Sequence, residues 1–508
     1  MLWSFAPSQA QIASKSVDSL VANALLKFKV AGAAVAVIKD GKVVLQKGYG
    51  VTDINTKKPV NEYTNFAIAS NSKAFTSMAL SILEEEGKLK WTDKVKDHIP
   101  EFKMYNDYVT ENLNIQDLLT HRSGMGLGVG DLMFFPDGSD FKIKDVVSAF
   151  QYFKPVSAFR TKFDYDNLLY LVAGEVIARA SGMSYENFIQ KRIIAPLQMD
   201  HTFAAADLMK DKSNLATPHS SESCTIKAIA PFGKQINSAA GGILSNVADL
   251  SKWMIMHMNN GKYGEGLKST LVSAANHTEM WTLHTILPAN PDPRYKSHFN
   301  GYGLGWGLSD VRGGLRVTHT GGLPGMLSMV VMYPDLNLGI VVLTNTENGG
   351  AGLFSAVCNT IADSYLGLDN FGWTDKISAL MEQQRSASDD VTKKVWEKVE
   401  AAKNTKENNA DYLGIYEDKW FGKVEVFEKG QQLWFKSYRS PKLNGPMAFY
   451  NANSFAIKWE YQDMNCDALA IFALDENGKA QSIKMKGISP NIDFSFDFQD
   501  LNLERVGK

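Results

Sequence analysis

"FAIASNSKAFTSMALSILEEEG", residues 66–87, passes from a small apolar stretch into apolar residues at helical spacing and stops at a glycine, the pattern of a helix with a defined entry and end. At that entry stands Ser70, and three positions on stands Lys73. Residues i and i+3 are neighbours on a helix surface, so the Ser70 hydroxyl and the Lys73 amine are expected to share one face of the first turn. That places a base beside a nucleophile. The backbone N–H of a residue at a helix start has no partner inside the helix and is open to a developing oxyanion.

Spacing alone does not decide the matter, since ordinary serine and lysine usage yields Ser-x-x-Lys about once or twice in a chain this long. A second copy, Ser139 to Lys142, lies in "PDGSDFK", turn chemistry without an apolar entry, and reads as loop. The plain structural reading of Ser70 is a helix cap with a solvated lysine nearby. Other residues have to shift that balance.

The surroundings of the helix set the architecture. Residues 33–50, "AAVAVIKDGKVVLQKGYG", read as two strands joined by a tight turn at Asp40-Gly41, and "GLRVTHTGG", "LSMVVMYP" and "NLGIVVLTNT" (314–346) read as further short strands. Between them lie helical patterns such as "DNLLYLVAGEVIARASG" and "NVADLSKWMIMHMNNG", each followed by a glycine. Strands at both ends with helices between predict an α+β fold, an antiparallel sheet with a helical lobe inserted. The expected organisation is an N-terminal arm or signal-peptide remnant over 1–14, a large α+β domain over 15–371, a charged helical linker over 372–410, and a small all-β barrel or sandwich over 411–508. In the last of these, "KVEVFEKGQQLWFKS" and "ALAIFALDENGKAQSIKMKG" are hairpin patterns, the second turning at Asn477-Gly478.

Composition excludes several function classes. The 508 residues are 44% hydrophobic and 21% charged, near the average for globular proteins, and 53 basic against 55 acidic residues leave a formal charge of −2 without a dense basic tract. Nucleic acid is therefore not an expected partner. Cys224, Cys358 and Cys466 are far apart and without metal-ligand spacing, which predicts neither a disulfide framework nor a metal site. No apolar run reaches the roughly 18 residues of a membrane-spanning helix. In "MLWSFAPSQAQ", Ser8-Gln9-Ala10 before Gln11 has the small-x-small form of a signal-peptide cleavage site, behind an apolar stretch that is short and lacks a basic start. It reads equally as an arm, with a cytoplasmic location, or as a signal remnant, with a periplasmic or secreted one.

Two further motifs complete the constellation. Tyr165-Asp166-Asn167 opens the helix pattern at "DNLLYLVAGEVIARASG", and His319-Thr320-Gly321-Gly322 lies on the predicted strand "RVTHTGG". Tyr-x-Asn also occurs at Tyr63 to Asn65 and at Tyr185 to Asn187, so Tyr165 is selected by its helix-entry context, whereas His-x-Gly occurs once. With Ser70-x-x-Lys73 these resemble the S-x-x-K, S/Y-x-N and K-T-G signature of the serine β-lactamase and penicillin-binding peptidase superfamily. The likeness is nearer to the class C β-lactamase, D-aminopeptidase and CubicO-type branch. "DLLTHRSGM", "INSAAGGILSNVADLSKWM" and "YGLGWGL" resemble that branch too, over roughly residues 15 to 368, and the C-terminal segment resembles the β-rich accessory domain of some CubicO-type peptidases.

The resemblance implies a serine hydrolase that forms an acyl-enzyme at Ser70 and needs no cofactor or metal. Lys73 and Tyr165 would share the proton taken from the hydroxyl, and Tyr165 would return it to the leaving group. Desolvation and neighbouring charge can tune such a pair. Asn167, Thr320, Gly321 and Gly322 would bind substrate, with the Gly322 and Ser70 amides serving the oxyanion. Where the signature has lysine this chain has His319, which carries no permanent charge for a substrate carboxylate. The implied partner is a small-molecule or peptide substrate, and the implied activity a peptidase or amidase on small or D-residue-containing peptides. The alternatives are a carboxylesterase, a weak β-lactamase, or a non-catalytic penicillin-binding or sensor module. "GKYGEGLKST" departs from a phosphate loop at Leu267 and follows no predicted strand. The sequence leaves open whether the accessory domain caps the active site or joins copies of the chain into a homo-oligomer.

Overall fold

Asp40 and Gly41 both take left-handed φ values, +51° and +71°, so the two-residue turn matches the twist of the strands it joins. It links β1 (Gly32–Lys39) to β2 (Lys42–Gly50). In the computed structural model, which describes residues 12–221, 225–233, 236–289, 291–405 and 408–507, these strands belong to an eight-stranded antiparallel sheet. Its other members are β3 (Thr285–Leu287), β4 (Asn300–Tyr302), β5 (Gly307–Val311), β6 (Gly314–Leu323), β7 (Met326–Tyr333) and β8 (Leu338–Thr344), in the order β2-β1-β8-β7-β6-β5-β4-β3. The pairing of Ala33 with Thr344 through Lys39 with Leu338 joins early and late parts of the sheet, as strands at both ends of the pattern require.

The two faces of the sheet are covered by different helices. Ala33, Val35 and Val37 of β1 pack with Ile340 and Val342 of β8 against Val17, Val21 and Ala24 of α1 (Ser14–Lys27). Leu353, Val357 and Ile361 of a later helix, Gly349–Tyr365, complete this layer. On the other face a Cβ at Gly339 would meet Met254 Cε at 2.7 Å, so Gly339 admits close approach of the helix Val247–Met258. A strand covered on both sides is apolar throughout, and β1 is buried from Gly32 to Ile38. Each fully buried valine or isoleucine side chain contributes about 1.5–3 kcal/mol relative to exposure.

Packing groups the chain into two compact units, both discontinuous in sequence. Of the described residues, one holds those up to Glu85, Glu186–Pro231 and Gly241–Glu382; the other holds Glu86–Tyr185, Phe232–Ala240 and those from Gln383 onward. The second unit contains the helix Leu168–Ser181, ended by Gly182 at φ +71°, and a closed barrel. Its strands, β9 (Gly414–Asp418), β10 (Gly422–Lys429), β11 (Gln432–Ser437), β12 (Asn444–Asn451), β13 (Ser454–Ile457), β14 (Ala468–Leu474), β15 (Ala480–Gly487) and β16 (Leu503–Gly507), follow one another in chain order. Pairing of β9 with β16 closes the ring and leaves no free sheet edge. The charged segment ahead of the barrel is one continuous helix, Trp373–Ala402. Val395, Trp396 and Val399 of that helix pack on Ala456, Leu469 and Ile488 of the barrel unit.

Ser8 to Gln11 and Cys224 lie outside the described residues. Cys358 and Cys466 are buried free thiols. Among the described residues no helix is long and apolar enough to cross a membrane, and no group of three or more histidine, cysteine or acidic side chains is gathered to hold a metal.

Candidate active site

The serine motif owes its geometry to one strained residue. Ala69 sits at φ +48°, a region costing an L-residue about 1–2 kcal/mol, and there the chain turns from Phe66–Ala67 into a 3-10 turn, Ala69–Asn71. Ser70 therefore lies in that turn, immediately ahead of α2 (Ser72–Glu85), and not within the helix's own first turn. The i, i+3 relation survives because side chains three apart eclipse in a 3-10 turn. Lys73 Nζ donates to Ser70 Oγ at 3.2 Å. Lys73 is fully buried, whereas Ser70 as a residue is half-buried. Asn71 Nδ2 donates to Ser328 Oγ at 2.8 Å, which in turn donates to Ile68 O at 2.7 Å, and these bonds pin both ends of the turn.

The same unit brings the histidine motif to this turn. β5 begins at Gly307, opposite Thr318, so β6 from His319 to Leu323 runs on with β7 on one side and, among the described residues, no strand on the other. Backbone groups on such an edge can pair with an extended ligand. Gly321 is obligatory here: a Cβ would lie 2.1 Å from Ile68 O, 2.5 Å from Ser328 Oγ and 3.0 Å from Ala69 Cβ. The strand thus closes directly on the residues that aim Ser70.

His319 is buried and held at both nitrogens. Nδ1 lies 2.6 Å from Thr320 O, which only accepts, so Nδ1 carries the proton and Nε2 accepts from the Tyr302 hydroxyl at 2.8 Å. Burial first, and then the neighbouring Lys73 charge, push the imidazole down to about 3. At neutral pH this position is uncharged. Gly305, at φ +78°, lets the "YGLGWGL" loop lie on α2, because a Cβ there would meet Ser77 Oγ at 2.6 Å and Lys73 O at 3.0 Å.

The tyrosine motif is built in the other unit. Asp166 Oδ1 accepts from Leu169 N at 3.2 Å and so takes the capping bond of the helix Leu168–Ser181. Asn167 makes no cap bond; its Nδ2 donates to the buried Asp131 at 2.8 Å, and Ser495 Oγ donates to the same Asp131 oxygen at 2.8 Å. Tyr165 O accepts from Gly128 N at 2.8 Å. The Tyr165 ring lies against His121, centroids 4.2 Å apart, and meets Phe494 edge-on at 5.9 Å. His121 Nδ1 accepts the Asp166 N–H at 3.0 Å, so its proton is on Nε2. Asp497 is fully buried, accepting from Gly130 N at 2.7 Å and Leu132 N at 2.9 Å; burial, and then the Asp131 charge, hold its carboxyl well above the usual range.

Ser70, Lys73, His319, Thr320, Gly321 and Gly322 thus belong to one unit, and Tyr165 and Asn167 to the other. The rival motif copies fall elsewhere: Ser139 and Lys142 lie in a loop, Tyr63 is exposed, and Tyr185 begins the short helix Tyr185–Ile189. Sequence reading assigned nothing to Tyr302, His121, Asp131, Phe494 or Ser495. Tyr302 and His121 stand within "YGLGWGL" and "DLLTHRSGM", where a signal existed. Asp131 and Ser495 are 364 positions apart and carried none.

The model of the β-lactamase family matches residues 17–355, and that of a domain of unknown function (DUF3471) matches 398–505. Unguisins hydrolase ungD of Aspergillus violaceofuscus is 29% identical over 386 residues, covering 72% of this chain and 67% of that protein. Protein flp of Staphylococcus aureus is 29% identical over 339 residues, 66% of this chain and 63% of its own length, so the chain spans less than two thirds of that relative. The octameric penicillin-binding protein homologue from Pyrococcus abyssi superposes with a TM-score of 0.60 at 21% identity, covering 97% of this chain and all of the other. That likeness is one of fold.

Proposed function

This chain belongs to the β-lactamase family, and from that premise we propose that it is a serine hydrolase working through a Ser70 acyl-enzyme, a peptidase or amidase on small peptides, D-residue-containing ones included. The observation that carries the reading is the 3.2 Å bond from the amine of fully buried Lys73 to the hydroxyl of half-buried Ser70. Serine is a weak nucleophile and must lose its proton as it attacks. In this reading Lys73 and Tyr165 take that proton between them, and Tyr165 delivers it to the leaving nitrogen. The Ser70 and Gly322 amides hold the oxyanion, a contribution of about 3–4 kcal/mol per donor in comparable sites. Asn167 orients Lys73 and the substrate amide, and Thr320 and Gly321 receive the substrate backbone along the free edge of β6. Water then releases the acyl group with Tyr165 as base.

The neutral His319 bears on substrate class. A substrate carboxylate would meet an uncharged ring there, so capped or internal amides suit the site better than penicillins, and slow turnover of nitrocefin is expected. Uncharged esters satisfy the same condition, which makes a carboxylesterase the second reading. We also assign the protein a periplasmic or secreted location and self-association through the barrel domain, to be checked by fractionation of the native host and by light scattering of the full chain.

Labelling with a fluorophosphonate and a fluorescent penicillin, read by intact mass with Ser70→Ala as control, tests the enzyme. A Ser70-dependent adduct is expected; none with either reagent would favour a binding module. A panel of D-amino acid amides, acyl-D-Ala-D-Ala peptides, nitrocefin and p-nitrophenyl butyrate then separates the activities. Turnover of the butyrate alone would overturn the peptidase preference.

A further inference from the structure

The barrel's last crossover, between β15 and β16, contains "IDFSFDF", residues 492–498, with phenylalanine at alternate positions. Two of the three are buried. Phe496 is 2% exposed and meets Phe135 edge-on at 5.0 Å, while Phe498 is fully buried, stacked on Trp459 at 5.8 Å. Phe494 has the same chemistry but remains 39% exposed. It does not project freely: a Cβ at Gly128 would come within 2.6 Å of its ring, and its edge meets Tyr165. The next residue, Ser495, is tied to Asp131 and through it to Asn167. A self-made turn, Ser495 N to Asp493 Oδ1 at 2.9 Å, and the Asp497 bonds to the 130–132 backbone hold the crossover in place. A large apolar ring has thus been fixed at the surface beside the phenol that the proposed mechanism uses as leaving-group acid.

We propose that this crossover forms one wall of the substrate pocket beside Tyr165, with Phe494 selecting an apolar side chain on the leaving-group residue of the substrate. The assignment to the leaving-group side rests on the preceding functional reading, because the group next to the acid that protonates the departing nitrogen is the residue that departs. Gly128 supports it from the opposite side, since its left-handed φ of +69° and missing Cβ give the ring its seat.

The test uses the full chain and two capped dipeptides that share an acyl residue and differ only in the leaving residue, glycine amide or phenylalanine amide. If only esters turn over, methyl and benzyl esters of one acid replace them. Wild type should prefer the phenylalanine substrate in kcat/KM. Phe494→Ala should reduce that preference by about tenfold or more, because the phenylalanine substrate loses far more kcat/KM than the glycine one. Phe494→Leu, which keeps an apolar wall, should retain the preference within about threefold. Thermal melts show that each variant is folded, and the Leu variant carries the test if the Ala variant is not. Turnover abolished by Ser70→Ala and Tyr165→Phe, together with a preference unchanged in Phe494→Ala, or lost equally for both substrates, would overturn the wall and leave the hydrolase standing. Turnover that does not depend on Ser70 would overturn both.

Discussion

The serine turn and the tyrosine entry supply parts of one proposed reaction, yet they are held by different means. Ser70 and Lys73 are three residues apart, and the backbone of a single turn, bent at Ala69, brings them to 3.2 Å. Tyr165 and Asn167 depend on partners from distant sequence: His121, Asp131, Phe494 and Ser495. Local geometry places the proposed nucleophile, whereas tertiary contacts place the tyrosine. The first should fail abruptly when its own atoms are removed, and the second should degrade by degrees.

Ser70→Ala is the sharpest way to break the pair, with an expected loss of about a millionfold in kcat at unchanged melting temperature. A residual rate within a hundredfold of wild type would remove Ser70 from the chemistry. Gly321→Ala attacks the serine turn from outside. Its methyl would strike the Ile68 carbonyl at 2.1 Å, so about 1–3 kcal/mol of stability and, through misaligned reacting groups, about a hundredfold in kcat/KM should go. Unaltered kinetics would show that the strand need not lie so close.

Acidification compares the two units as wholes. His257, His277 and His319, all in the first unit, are pressed down by burial, His277 to about 4 and His319 to about 3. They stay neutral when folded but take up protons when unfolded as pH falls below about 6.5, so their contribution is lost on that descent, at up to about 1.4 kcal/mol per pH unit for each. In the second unit Asp493 and Asp497 are raised by burial. A carboxyl raised in the folded state stabilises at low pH and loses that contribution as pH climbs from its unfolded value through the folded one. Calorimetry from pH 6.5 to 4.5 should therefore show the first unit losing melting temperature while the second holds or gains; parallel shifts would refute the contrast. The smallest effect belongs to Ser495→Ala, which should lower kcat about fivefold with KM unchanged, since one hydrogen bond to Asp131 is lost while Asn167 stays. Rescue by Ser495→Thr would separate positioning from folding, and a change confined to KM would refute it.

Much of the fold could be read because its signals were local. Asp40-Gly41 announced the first hairpin, Gly182 the end of a helix, and Asn477-Gly478 a barrel turn, each through backbone conformations that few residues tolerate. The barrel's closure was not legible, since an alternating strand looks alike in a sandwich and a barrel until β9 meets β16. Tyr302 stood in a phrase already singled out, but nothing local tells that its hydroxyl would fix the tautomer of a histidine 17 positions on.

By itself, the order of residues determined the neighbouring of Ser70 and Lys73, the strands and helices around them, and the family signature, because each depends on short-range spacing, turn chemistry or apolar period. Only the tertiary structure decided that His319 is neutral, that Gly321 must be glycine, and that a serine and a phenylalanine from the barrel stand by the tyrosine motif. Charge state and close approach depend on which distant atoms exclude water from one another, and that is set only when the whole chain has packed.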